Sequence, residues 1–394
     1  MPTKLAIVAT HPIQYYAPWF AHLAREAGLA VRVFYLWDFG VAAHVDRGFQ
    51  RPVRWDVPLL EGYAHEFVEN RSPSPGTAGY FGLWNPALPR RVRAWAPSAV
   101  LLTAYNFASI GHFLLRWGTD NPPLLFRGDS HRLVPRHGMT QALKRRLIAA
   151  VFRRFAAALY VGSANRDYFA LHGVAAQRLF HSPHAVDNER FFAARASAEA
   201  EAPAWKRSLG IPEGNRVILF AGKFEEKKRP LDLLRAFLDA GVERASLLFV
   251  GSGPQEAALR AAAAGRSHVH FAPFRNQSLM PLTYAAGDVF VLPSFGPAET
   301  WGLAVNEAMC MGRAVIASDH VGCARDLVIA GETGLTFPAG NVAALAEMLR
   351  AALADPSRLK EWGERARARI RSYSFEQATA GLVAALRHLG IEVP

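Results

Sequence analysis

Glu299 and Glu307 stand eight residues apart in the run Glu299-Thr-Trp-Gly-Leu-Ala-Val-Asn-Glu307. The run follows the strand-like Asp288–Ser294 and crosses the start of an expected helix. Carboxylates accept hydrogen bonds from hydroxyls, and a helix N-terminus offers unpaired N–H groups to an anion. If all eight steps were helical, the two carboxylates would lie roughly 12 Å apart. Neither acid spans that distance alone, whereas the sugar and ribose ends of a nucleotide sugar could reach both. A nucleotide-sugar site is the first expectation.

Two further loops carry compatible chemistry. Val217-Ile-Leu-Phe-Ala-Gly222-Lys223-Phe-Glu-Glu-Lys-Lys228-Arg-Pro230 reads as strand, glycine turn, basic loop and helix. Gly222 lets backbone approach a ligand, and Lys223 and Lys228 could neutralise a diphosphate. The run lacks the Gly-Lys-Ser/Thr ending of a Walker A sequence, and by itself is also readable as an ordinary charged loop. Gly251-Ser-Gly253-Pro254 follows the next strand at the same sheet end. A lone Gly-x-Gly is weak; one sheet edge carrying both loops and the two glutamates is much stronger.

Such loops need a sheet to position them. Short apolar runs alternate with helical periodicity along all 394 residues. The expected strands are Lys4–Thr10, Val31–Leu36, His65–Glu69, Val100–Ala104, Leu124–Arg127, Ala158–Val161 and Leu179–His181. A second series comprises Val217–Ala221, Leu247–Val250, Val269–Phe271, Val289–Leu292, Ala314–Ala317 and Leu335–Phe337. This alternation predicts two doubly wound α/β domains with parallel sheets covered on both faces. Arg195–Pro203 has the composition of an exposed connection, so the domains are placed at 1–195 and 196–372. The last helix, within 373–394, is set apart from them.

Hydrophobic residues make up 51% and charged residues 20%, which excludes a disordered chain. No apolar run reaches the ~18 residues of a membrane span, and the N-terminus is too short in apolar residues for a signal peptide. A cytoplasmic protein is expected. Cys310 and Cys323 are the only cysteines, so neither a disulfide framework nor a zinc motif is present. His181 and His184, on a strand-like stretch, would face opposite sides and make no metal pair.

The net charge of +12 favours a polyanionic partner. No acid falls between Asp129 and Asp167, while Arg132, Arg136, Lys144, Arg145, Arg146, Arg153, Arg154 and Arg166 do. Within that stretch 141–156 repeats Leu143, Leu147, Ile148, Val151, Phe152 and Phe155 at helical spacing. It suits an anionic membrane surface or a lipid-diphosphate acceptor; a core-packed helix with a solvated basic face is the alternative. Nucleic acid is not expected, because no recognition helix, zinc finger or ribonucleoprotein motif accompanies the charge.

In order along the chain, Gly222-Lys223 with Lys228, Gly251-Ser-Gly253-Pro254, Asp288–Ser294 and the Glu299–Glu307 pair make a combination. Gly312-Arg-Ala-Val-Ile-Ala-Ser318 and Gly331-Glu-Thr-Gly334 complete it. It resembles the retaining glycosyltransferases of family 4 (glycosyl transferases group 1), over roughly 217–340. The interdomain stretch 158–192, with Gly162-Ser163 and His184-Ala-Val-Asp187-Asn188, is similar too.

The resemblance implies a GT-B fold, two Rossmann-like domains facing across a cleft. It implies retaining transfer of a sugar from a nucleoside diphosphate sugar, UDP being the frequent base, with no metal or other cofactor. Lys223 and Lys228 would hold the diphosphate and stabilise the leaving group, and Glu307 would bind the ribose. Glu299 would grip the sugar, with the backbone of Thr300, Trp301, Gly302 and Leu303 close to sugar and phosphates. Gly222, Gly251 and Gly253 complete the donor set.

The acceptor, a saccharide or lipid-linked saccharide, would meet His11, Gln14, Asp129 and His131 in the first half. Members of the family often have a histidine in this region, so His131 is the first catalytic candidate there, with Asp129 close behind. Trp301 replaces a small residue, either to wall the sugar or to pack. Asp326 replaces the family's third acid, in a segment with Cys323 at the second glycine. The final helix should cross back to the first domain. A nucleotide-sugar epimerase or a sugar phosphorylase on the same fold is the competing enzyme reading.

Overall fold

The computed structural model describes residues 3–42, 44–46, 48–134 and 138–393. Arg136, one of the basic residues noted above, lies outside them. All the expected strands form. The first series is β1 (Lys4–Ala9) and β2 (Ala30–Tyr35), a hairpin of β3 (His44–Asp46) and β4 (Arg51–Val53), then β5 (Ala64–Phe67), β6 (Ala99–Leu102), β7 (Leu124–Gly128), β8 (Ala157–Tyr160) and β9 (Leu179–His181). The second is β10 (Arg216–Lys223), β11 (Ala245–Ser252), β12 (Val269–Ala272), β13 (Val289–Leu292), β14 (Ala314–Ser318) and β15 (Gly334–Phe337).

These strands build a seven-stranded sheet in the order β5-β2-β1-β6-β7-β8-β9. A six-stranded sheet follows in the order β12-β11-β10-β13-β14-β15. Every pairing within either sheet is parallel. Alternation along a strand explains the two covered faces. In β1, Leu5, Ile7 and Ala9 join one core, and Ala6 and Val8 the core on the other face. Likewise Val217, Leu219 and Ala221 of β10 face one core, and Ile218 and Phe220 the other. Each sheet order reverses beside its first strand, which opens a crevice at the carboxyl edge for ligand-binding loops.

Arg195–Pro203 is not an exposed connection. It lies within a continuous helix, Asn188–Ser208, capped by Asp187, whose carboxylate accepts from the Arg190 N–H at 3.1 Å. Its alanine- and glutamate-rich composition favours helix, and Ala198 and Ala202 are buried in the second domain's core. The composition looks solvated because only one narrow face packs.

The last helix, Phe375–His388, packs on the first sheet. Ala378, Leu382, Ala385 and Leu386 belong to the same core as Leu5 and Ile7. The indole of Trp19 donates to the Thr379 hydroxyl at 3.2 Å, and the Ser182 hydroxyl to the Ala378 carbonyl at 2.9 Å. The β3–β4 hairpin has no counterpart in the sequence reading. Its strands are three residues each, too short for a two-residue periodicity to show.

Candidate active site

The carboxyl ends of β10, β11 and β13 converge on a cavity of about 360 Å³ between the sheets. Gly222 and Gly251 are register partners at the tips of β10 and β11. A side chain at Gly251 (φ +148°) would start 1.9 Å from the Gly222 carbonyl oxygen, so only glycine fits. After β13 the chain loops through Glu299 and enters the helix Leu303–Cys310 at Gly302. Gly302 has φ +98°, and no side chain caps the helix. Its first N–H groups therefore face the cavity, an arrangement that attracts anions.

Glu307, on that helix, is 2% exposed. Its Oε2 accepts from the Tyr284 hydroxyl at 2.7 Å, while Oε1 is buried without a hydrogen-bond partner. The Tyr15 hydroxyl and the Gln277 amide favour its charge from nearby, yet neither meets Oε1 in hydrogen-bond geometry. Burial dominates and pushes the Glu307 carboxyl above the usual range. A buried oxygen of this kind is costly unless a ligand supplies the donor.

Glu299 behaves oppositely. Burial opposes its charge, but the Lys228 ammonium paired with Oε2 and the Ser294 hydroxyl, donating at 2.8 Å, outweigh it and lower its pKa. Lys223 pairs with Asp46 at 2.9 Å and lies 4.9 Å from the centre of the Phe49 ring, both on the β3–β4 hairpin segment. Both lysines are thus held by carboxylates, with Lys223 reaching across the cleft. The Ser252 hydroxyl, donating to the Phe49 carbonyl at 3.0 Å, ties the same hairpin to β11.

Gly222, Lys223, Lys228, Gly251, Glu299, Thr300, Trp301, Gly302, Leu303 and Glu307 all line this cavity, together with Gln14 and Asp129 from the first domain. Asp129 accepts from the Thr300 hydroxyl at 2.6 Å and from His184 at 3.4 Å. Burial opposes its charge, yet these bonds hold its carboxyl below the usual range. His184 is itself buried, and desolvation lowers its pKa, so it donates as a neutral imidazole.

Three expected site residues lie elsewhere. Gly253 is absent from the cavity wall; it lets the Gly48 carbonyl and the Phe224 backbone approach within 2.8 Å of where a Cβ would be. His11 faces a neighbouring groove of about 1040 Å³ with Trp37, Phe39 and Tyr80, and burial lowers its pKa to about 4. It packs edge-on against the Trp37 and Phe39 rings.

His131 joins the domains. Its Nδ1 accepts from the Leu133 N–H at 3.2 Å, so Nε2 carries the proton and donates to the Glu299 carbonyl at 3.1 Å. With both nitrogens engaged and burial lowering its pKa, it positions the Glu299 backbone rather than presenting a free acid or base to the cavity.

Trp301 packs. It is 3% exposed, its indole donates to the Asn306 carboxamide at 2.9 Å, and a Cβ at Gly162 would meet its ring at 2.4 Å. The large side chain occupies room that glycine across the interface leaves. Asp326 also bridges the halves, accepting from the Ser163 N–H at 3.0 Å and from its hydroxyl at 3.0 Å.

Sequence reasoning missed Phe49, Trp55, Tyr15, Tyr284 and Arg275, which also line this cavity, and Asp46, which pairs with Lys223. Tyr15 sits in a loop singled out for its neighbours. The others come from turns and helix ends without any motif.

Residues 201–369 match the family model described as glycosyl transferases group 1. This segment belongs to that family. The D-inositol 3-phosphate glycosyltransferase of Nocardia farcinica is 31% identical over 231 residues, 55% of this chain and 49% of that protein. The sulfoquinovosyl transferase SQD2 of Arabidopsis thaliana is 31% identical over 217 residues, 54% of this chain and 41% of that protein. The chain thus spans about half the length, or less, of these curated relatives.

Over its whole length it superposes on Anabaena Alr3699/HepE, solved in complex with UDP and glucose. The TM-score is 0.73 at 16% identity, with 98% of this chain and 99% of that chain covered. The sucrose-phosphate synthase of Thermosynechococcus elongatus gives a TM-score of 0.70 at 22% identity, with 98% and 99% covered. The chain has the GT-B fold.

Proposed function

We propose that the protein is a retaining glycosyltransferase that moves a sugar from a nucleoside diphosphate sugar, a UDP-sugar in our reading, to an acceptor hydroxyl. The unmet Oε1 of Glu307 carries this reading. It waits for a donor such as a ribose hydroxyl, in a cavity that Lys228, Glu299 and an uncapped helix N-terminus also line. The binding of UDP and glucose by Alr3699/HepE on the same fold supports it.

In the reaction the bond from the anomeric carbon to the diphosphate oxygen breaks, and its electron pair leaves with the nucleotide. The acceptor oxygen bonds to the same face of that carbon, and its proton passes to the departing phosphate oxygen. Lys223 and Lys228 would leave their carboxylate partners for the phosphates and stabilise the leaving group, with the helix N-terminus in place of a metal. Glu299 would hold the sugar hydroxyls, and Asp129 would take the hydrogen bond of the acceptor hydroxyl beside Thr300. Closure of the two domains would exclude water, which would otherwise hydrolyse the sugar nucleotide.

The acceptor we favour is a lipid-linked saccharide in polysaccharide or cell-envelope synthesis, met at the cytoplasmic face of a membrane. The helix Met139–Phe152 buries Ile148 and Phe152 but leaves Leu143 and Leu147 each 60% exposed beside Lys144, Arg145 and Arg146. No helix among the described residues is long and apolar enough to cross a membrane, so attachment would be peripheral.

Calorimetry with UDP, GDP, ADP and their sugar conjugates tests the assignment. One nucleoside diphosphate should bind wild type and be weakened in Lys223→Ala and Lys228→Ala. Binding of none would overturn it, and an inverted anomeric product by NMR would overturn retention.

A further inference from the structure

We infer that Asp46 competes with the donor's diphosphate for Lys223, which makes the β3–β4 hairpin of the first domain a latch on the donor site. The inference rests on the transferase reading above and adds a regulation of that site. Asp46 belongs to the first domain and Lys223 to the second, 177 positions apart. Both carboxylate oxygens of Asp46 stand 2.9 Å from Lys223 Nζ.

The hairpin turn is built to hold a negative charge at that place. Asp46 is buried, and the Gly48 and Phe49 N–H groups donate to its Oδ1 at 2.8 and 3.0 Å. Burial opposes its ionisation, but the Lys223 ammonium and these two N–H groups outweigh it and keep the carboxyl below its usual range. A Cβ at Gly48 would stand 2.1 Å from Glu225 Oε1 and 3.0 Å from Lys223 Nζ, so the turn lies directly against the basic loop.

The rest of the segment follows Asp46 across the cleft. The Phe49 carbonyl accepts from Ser252 at the tip of β11, and the Phe49 ring meets that of Phe274, beyond β12, edge-on at 4.6 Å. Just past the hairpin, the Arg54 carbonyl accepts from the Asn276 carboxamide at 2.8 Å and the Asp56 carboxylate from the Ser278 N–H at 3.1 Å. One first-domain segment thus touches the loops after β10, β11 and β12, all of which contribute to the donor cavity. Lys223 lines both that cavity and the neighbouring groove, with Asp46 on the groove side and Phe49 and Trp55 on the cavity side. The hairpin is the partition between them.

An ammonium paired in this way attracts a diphosphate weakly, because the carboxylate offsets its charge and repels the incoming anion. Donor binding exchanges one counter-ion of Lys223 for another, and the latch loosens as the diphosphate arrives. When the nucleotide leaves, Asp46 regains the lysine, which favours product release.

The test is calorimetric titration of UDP, inorganic pyrophosphate and uridine into wild type, Asp46→Asn, Lys223→Ala and the D46N/K223A double variant. Asparagine keeps an acceptor for the Gly48 and Phe49 N–H groups and removes the charge. We expect D46N to bind UDP and pyrophosphate about tenfold more tightly than wild type, the scale of one charge-assisted hydrogen bond, with uridine unchanged. In the Lys223→Ala background the same substitution should change nothing. Equal or weaker UDP binding by D46N overturns the proposal, since Asp46 would then orient Lys223 rather than compete for it. An equal gain without Lys223, or an equal gain for uridine, also overturns it.

Should D46N not fold, hydrogen exchange in wild type decides. Bound UDP should speed exchange in the β3–β4 hairpin, and slowed or unchanged exchange overturns the latch. If wild type binds no UDP while D46N still binds pyrophosphate more tightly, the transferase reading fails and the latch stands. Binding of neither anion to any of the proteins sinks both.

Discussion

Replacing Glu307 by Gln should move stability and ligand binding in opposite directions. The substitution keeps the shape of the side chain and an acceptor for the Tyr284 hydroxyl, but removes a charge that burial disfavours. Glu307 binds its proton more readily in the folded chain than at the unfolded value of about 4.3. Its contribution to stability is therefore full below about pH 4 and is lost as pH rises through the raised pKa. The variant escapes that loss, so its unfolding midpoint relative to wild type should rise between pH 4 and neutrality.

Nucleotide binding should fall instead. A hydrogen bond to a charged group contributes about 1.5–3 kcal/mol, so the variant should bind its nucleoside diphosphate about 10- to 150-fold more weakly. Titration of UDP and 2′-deoxy-UDP into both proteins isolates the contact. The deoxy analogue should lose affinity for wild type and lose little more for the variant, since the two changes remove the same bond. Unchanged UDP affinity in E307Q, or the full deoxy penalty in both proteins, would refute the ribose assignment.

Three other substitutions test how the halves are joined. His131→Ala should lower kcat by about 2- to 10-fold through loss of one hydrogen bond to the Glu299 carbonyl, with nucleotide affinity unchanged and partial recovery in His131→Asn. Loss of an ionisation from the pH–rate profile would show instead that the imidazole exchanges protons with substrate. Asp326→Ala leaves the Ser163 N–H and hydroxyl without their acceptor and should cost about 1–3 kcal/mol in chemical denaturation. It should also reduce turnover more than nucleotide binding; equal denaturation curves would dismiss the bridge.

A chain ending at Ser374 loses the burial of Leu382 and Leu386, about 1.5–3 kcal/mol each, from the face of the first sheet. Its thermal unfolding should begin earlier and its turnover should fall. Unchanged turnover would mean that the helix is dispensable.

The central strands of both sheets were legible in the sequence because each is a short apolar run closed by a polar turn, and burial on both faces leaves little else it could be. The cavity residues were legible for a related reason. Gly222, Lys223, Lys228, Glu299 and Glu307 hang on strand ends and on one helix start, where local sequence dictates local geometry. Arg195–Pro203 misled because alanine and glutamate suit an exposed segment and a helix with one narrow buried face equally well.

What only the tertiary structure decided is which side chains meet across the cleft. His131, in the sequence a candidate contact to the acceptor or the anomeric centre, reaches the Glu299 carbonyl through Nε2, 168 positions away. Asp46 reaches Lys223 across 177 positions, from a hairpin too short to show a period. Asp326, without a role in the sequence, meets Ser163. A sequence records what a residue can do with its neighbours along the chain. Whether its last lone pair or proton is already taken depends on packing between distant segments, which periodicity and local spacing do not encode.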